Sequence, residues 1–143
     1  MMAREIIAML GMEPHPEGGF YVETFRDLSD GSKRGVSSLI YFLLEAGDRS
    51  HWHRLHTASE VWHFYAGAPL VLSRFAKGGI NDDLVLGTDL AAGERPQAIV
   101  PAGCWQAAES LGDFTLVGCT VAPGFDFDDF ELAEPDWSPR EPA

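Results

Sequence analysis

The chain has 143 residues, 45% of them hydrophobic and 22% charged, with a formal charge of -12 at pH 7. That length and balance fit one compact domain over 1–143 with a real core. The charge excludes polyanionic partners, because nucleic acid and anionic membrane surfaces would both repel it. Part of the charge lies in the acidic stretch from Asp126 to Glu134, so the remainder is less negative than the total implies.

No apolar run approaches the roughly 18–20 residues of a membrane span. Only Arg4 precedes the short run Ile6 to Leu10, and Glu5 interrupts the basic end, which argues against a secretory leader. A cytoplasmic protein with no membrane partner is therefore expected. Cys104 and Cys119 are too few and too far apart for a zinc knuckle or a CxxC redox pair, and read as small buried apolar residues.

In chain order, residues 3–10 place Ile6, Ile7 and Leu10 on one helical face, and Gly11 ends the turn, giving a short helical unit within 1–12. The segment Pro14 to Gly19 is a loop, since two prolines and two glycines forbid regular structure. Phe20 to Arg26 alternates as a strand, and Val36 to Leu44, rich in β-branched and aromatic residues, reads as a central one. Further strands are expected over His51–Leu55, Val61–Tyr65, Pro69–Phe75, Leu84–Leu86, Gln97–Val100 and Phe114–Val121, with a hairpin at Lys77-Gly78-Gly79. Trp105 to Ser110 is a second candidate helix. Residues 133–143 are Pro-rich and read as a loose tail. Short strands at regular spacing indicate an all-β barrel or sandwich.

The stretch from Gly47 to Gly67 carries the chemistry: His51, His53, His56, Glu60 and His63 lie between two glycines. A His-x-His in a strand puts both imidazoles on one face, roughly 7 Å apart. A hairpin would bring Glu60 opposite them, a workable two-histidine, one-carboxylate arrangement. If Glu60 points inward, so do Trp62 and Phe64, leaving His63 and Tyr65 on the other face. Trp52, Trp62 and Trp105 suit either a flat ligand or a barrel core.

This stretch resembles the first motif of the cupin superfamily, Gly-x5-His-x-His-x3or4-Glu-x6-Gly. Gly47, His53, Glu60 and Gly67 fit one register, but the second histidine then falls on Leu55, with His51 two residues upstream as a substitute. The second cupin motif is similar to Pro101-Ala-Gly103-Cys-Trp-Gln106, with Gln106 at the position of the last histidine ligand. Together with HPEGGFYVETFR, YFLL, EVWHFYAG and VGCTVAPGFDFDDFEL, the motifs cover nearly the whole chain and resemble a branch of small single-domain cupins without a settled activity. The resemblance implies an all-β, jelly-roll-like cupin barrel with a short N-terminal helix, a small-molecule ligand in the barrel mouth, and a homodimer.

Glu17 to Glu23 is also similar to the Arg-Gly-x-Phe-x-Glu region of the dTDP-sugar 3,5-epimerases, metal-free cupins that move a proton beside a keto group. That resemblance implies His53 or His51 as base with Glu60 as its orienting partner, and Tyr21 or Tyr41 as acid. Gly18 stands where those enzymes have an arginine, and Arg26 is a candidate replacement in binding the ligand. Glu23, Tyr41, Trp62 and Gln106 complete the expected ligand contacts. Three functions stay open: a sugar-type isomerase; a metal-dependent dioxygenase or lyase with a divalent cation on His51, His53, Glu60 and Gln106; and a ligand-binding module without turnover.

Overall fold

The computed structural model describes residues 1–140. After α1 (Ala3–Leu10) come eleven strands: β1 (Glu13–Pro14), β2 (Phe20–Asp27), β3 (Ser37–Glu45), β4 (Arg49–Leu55), β5 (Ser59–Gly67), β6 (Leu70–Phe75), β7 (Asn81–Leu86), β8 (Gln97–Val100), β9 (Trp105–Ser110), β10 (Phe114–Ala122) and β11 (Phe130–Leu132). They form a six-stranded sheet, β1-β2-β3-β10-β5-β8, facing a five-stranded sheet, β11-β4-β9-β6-β7. Every strand pair is antiparallel. The all-β, jelly-roll-like barrel with its short N-terminal helix is what the sequence implies.

Alternation sorts the side chains. Phe42 and Leu44 of β3, Trp62 of β5, Leu70 and Leu72 of β6, and Val117 of β10 point between the sheets and are buried there. The other face of the six-stranded sheet is covered by α1, where Ile6 and Met12 pack on Leu43.

Two expectations change. Trp105–Ser110 is strand β9, hydrogen-bonded between β4 and β6. A short run with two central alanines fits a helix by propensity, but it fills the gap between two strands that would otherwise be edges. The tail is irregular but docked as far as residue 140. The Ala133 amide donates to the Trp52 carbonyl at 3.0 Å, Trp137 lies 4.5 Å from Trp105, and Arg140 pairs with Asp83 at 2.9 Å. Residues 141–143 of the expected loose tail lie outside the described residues. Among the described residues no helix is long and apolar enough to cross a membrane.

Candidate functional site

A cavity of about 540 Å³ opens between the sheets, its inner end formed by Glu17, His53 and Glu60. Glu17 arrives from the loop between β1 and β2. The His15 amide donates to the Gly19 carbonyl and the Gly18 amide returns to His15, at 2.9 and 3.0 Å, so the chain folds tightly back. Gly18 sits at φ +109°, and a Cβ there would strike the Arg49 carbonyl. Only glycine lets the loop press this closely on β4. The His51 amide locks the approach by donating to the Glu17 carbonyl at 2.8 Å.

Strand β4 carries a bulge. Ser50 pairs with Ala108 and His53 with Gln106, so three steps along β4 face two along β9. The extra residue reverses the alternation. Ser50, His53 and Leu55 are buried, and both His53 and Leu55 line the cavity. His51 is turned away, and its Nε2 lies 2.7 Å from the Glu134 carbonyl in a separate cleft beside the tail. The two histidines therefore do not share a face, and His51 is neither base nor metal ligand in this cavity. It contributes its carbonyl instead, which accepts from His53 Nδ1 at 2.8 Å and leaves His53 Nε2 facing Glu17 Oε2 at 3.2 Å.

Glu60, Trp62 and Phe64 point inward on β5, as alternation predicts, but only Glu60 lines the cavity. Trp62 is 1% exposed in the core, its indole edge-on to Phe42. Its Nε1 donates to Gln106 Oε1 at 2.8 Å, and Gln106 Nε2 donates to Glu60 Oε1 at 2.8 Å. An indole N–H can only donate, so it fixes which end of the amide faces Glu60. Trp62 and Gln106 stand behind the cavity wall as supports, not as ligand contacts.

Burial dominates the electrostatics. It pushes the Glu17 carboxyl up to about 8, opposed by the Ser50 hydroxyl, which donates to Glu17 Oε2. It pushes Glu60 up to about 7, with His53 opposing and Glu17 adding to the rise. It lowers His53, against the pull of Glu60. These directions leave Glu17 protonated and His53 neutral, with the carboxyl O–H pointing at Nε2. The tautomer agrees, because Nδ1 already carries a proton to the His51 carbonyl. His15, lowered to about 3 by burial and then by His53, accepts the Glu17 amide at Nδ1 and stays neutral.

Tyr21, Glu23 and Arg26 line the β2 wall. Tyr21 packs on His15 at 4.6 Å, and burial, followed by Glu13, raises its phenol. Arg26 is held by Glu23 at 2.5 Å and by the Arg34 and Phe125 carbonyls at 2.6 and 2.8 Å. Tyr41 is not a cavity residue. Its neighbour Phe42 points inward, so Tyr41 lies on the opposite face, 5.9 Å from Tyr65. His15, Glu17 and Ser50 were not candidates from sequence. The available signal was a histidine and a glutamate set between a proline pair and a glycine pair, read there only as a loop.

The cation site of the metal-dependent alternative does not fit this geometry. His51 faces away, and the Gln106 carbonyl oxygen is engaged by Trp62. Among the described residues no group of three or more His, Cys, Asp or Glu side chains is arranged to hold a metal ion. The donors present do not fit a resident divalent cation.

The chain is similar to protein SO0799 from Shewanella oneidensis, at 47% identity and a TM-score of 0.87, covering 93% of this chain and 85% of that one. A hypothetical protein from Leishmania major is 32% identical at a TM-score of 0.84, covering 93% and 88%. Streptomyces PAC13 with uridine shares the fold, at 12% identity and a TM-score of 0.61, covering 86% and 83%. A search of curated proteins returns no match. The profile described as Cupin superfamily (DUF985) matches residues 4–133, so the chain belongs to the Cupin_5 family of cupins.

Proposed function

We propose that this cupin binds a small sugar-like carbonyl compound and moves a proton at the carbon beside the carbonyl, as an isomerase or epimerase. One observation carries the reading: His53 lies between two buried carboxyls, Glu17 and Glu60, both raised toward neutrality at the inner end of the cavity. Catalytic acids and bases work best with a pKa near the working pH. Glu60, raised to about 7, is partly ionised there and takes the proton from the α-carbon. The Glu17 O–H turns from His53 Nε2 to hydrogen-bond the developing enolate oxygen, and keeps its proton as the carbonyl re-forms. Tyr21 on the far wall gives its proton to the α-carbon, and the proton held by Glu60 returns to the Tyr21 phenolate through solvent, so an epimerisation closes with no net change in protons.

This assignment alters the roles implied by the epimerase resemblance. The carboxylate that touches His53 is Glu17, and Glu60 becomes the base. The homodimer belongs to the same proposal, with Tyr65 and Ile99, both exposed on the six-stranded sheet, as the surface it would cover. Sedimentation at micromolar concentration tests that part.

The reaction is tested by incubating the protein with aldoses and ketoses in D2O and following the α-proton by NMR. Enzyme-dependent loss of that signal, abolished in His53→Asn, is the expected result. Tight ligand retention with no exchange for any compound would instead make the protein a binding module.

A further inference from the structure

The charges around the cavity entrance are unevenly matched. Of the two guanidiniums that line it, Arg26 is paired with Glu23 at 2.5 Å and Arg34 with Asp129 at 3.2 Å. Both also donate to main-chain carbonyls: Arg26 to Arg34 and Phe125, and Arg34 to Gly124 at 2.7 Å. These cations hold the loops together and leave little charge to offer an incoming anion. What remains at the rim is Lys33 against Glu13, Asp126 and Asp128. No ion pair involves these four side chains among the described residues. The wall beneath is aromatic and aliphatic, with Phe125, Phe127 and Ile40. The inner end offers two carboxyls and two neutral imidazoles, with no cation for a phosphate to reach.

From this arrangement we infer that the cavity admits uncharged or amine-bearing carbonyl compounds and excludes those carrying a phosphate or carboxylate. An anion would have to pass a rim of net negative charge and lodge beside Glu60. A neutral sugar passes freely, and an ammonium group is drawn in by the rim acids and the aromatic faces behind them. The inference rests on the proposed proton-transfer role only for the carbonyl. The charge filter stands on the rim alone.

Cys119 lines the same cavity and Cys104 does not, so the native chain carries its own probe. Methanethiosulfonates with cationic, neutral and anionic head groups are applied separately. Labelling of each cysteine is read by peptide mass mapping, and every rate is divided by that for free cysteine. At Cys119 the cationic reagent should lead the anionic one by at least about tenfold, and 1 M salt should compress the ratio. The triple change Glu13→Gln, Asp126→Asn, Asp128→Asn should bring it close to unity. If Cys119, 2% exposed and with its thiol pushed up by burial, proves too slow to label, Ile40→Cys on the same wall, only partly buried, gives the same comparison. Equal rates, or a faster anionic reagent, would overturn the filter. Because no substrate is needed, a failed filter and a failed isomerase are separate results: the first leaves solvent exchange intact, and the second leaves the labelling ratio intact.

Discussion

The two carboxyls that flank His53 are held in different ways. Glu60 stands in the middle of a strand, supported by Trp62 and Gln106 through two hydrogen bonds of 2.8 Å, with the pleat deciding its direction. Glu17 stands on a loop, delivered by Gly18 in a left-handed conformation and caught by Ser50 and His53. A strand fixes a side chain through many shared backbone bonds, whereas a loop fixes it through a few specific contacts. The strand side should therefore tolerate change in its neighbours, and the loop side should fail at single positions.

The largest effect is expected at the group both sides share. His53→Ala should lower solvent exchange into a responding carbonyl compound by ~10²–10⁴-fold. His51→Ala, two residues away but within the bulge and turned out of the cavity, should leave it within about threefold. Comparable losses from both would mean that the bulge does not separate the two imidazoles in solution.

Next comes the hinge of the loop side. Gly18→Ala forces a Cβ onto the Arg49 carbonyl at φ +109°, and should cost ~2–4 kcal/mol in urea unfolding. The carboxyl should leave His53 as well, so exchange falls even at temperatures where the variant is folded. A stable, active Gly18→Ala protein would show that the loop has another path.

The carboxyls themselves make a pH test. Glu17, raised from 4.5 to about 8 in the fold, favours the folded state most at low pH, and that contribution is lost as pH rises from about 4.5 through 8. His15, lowered from 6.5 to about 3, works oppositely, and its contribution is lost as pH falls below 6.5. Between pH 6.5 and 8 the carboxyl trend stands alone. Wild-type stability should fall there by up to a few kcal/mol, at ~1.4 kcal/mol per pH unit at most for one group. Glu17→Gln, which keeps an oxygen for Ser50, should flatten that slope and be the more stable protein at pH 8.5. Parallel slopes for the two proteins would remove Glu17 as a buried acid.

The unequal construction also explains what the sequence disclosed. Alternation from Glu60 to Phe64 is enough to aim Glu60 and Trp62 inward and His63 away, because the β5 register is regular there and slips only at Tyr65. The all-β barrel followed from the same periodicity and from motifs spread over the chain. The same rule failed on β4, where one extra residue between Ser50 and His53 sent His51 outward. A bulge is set by the partner strand, and nothing in Arg49–Leu55 alone announces it. Glu17 was hidden for a related reason: a loop has no periodicity, and its direction depends on a glycine meeting a carbonyl thirty-odd residues later in the chain. The tail reads as loose in sequence because its anchors, Trp105, Asp83 and the Trp52 carbonyl, are tertiary partners that no local pattern announces.

The smallest expected effect falls on the strand side. Gln106→Leu removes the acceptor for the Trp62 indole and the donor to Glu60, and leaving the indole N–H unpaired should cost ~1–3 kcal/mol. The strands on either side are unchanged, so Glu60 should keep its direction and the protein its exchange activity. Its acidity should nevertheless move. The Gln106 amide is one of the groups holding the Glu60 carboxyl down against burial, so its loss raises the carboxyl further. Since Glu60 acts as base in its ionised form, the acid limb of the exchange rate should shift to higher pH while the plateau above it is preserved. A plateau that collapsed with the limb would mean that Gln106 itself touches the substrate, and the cavity would then be deeper than its present walls.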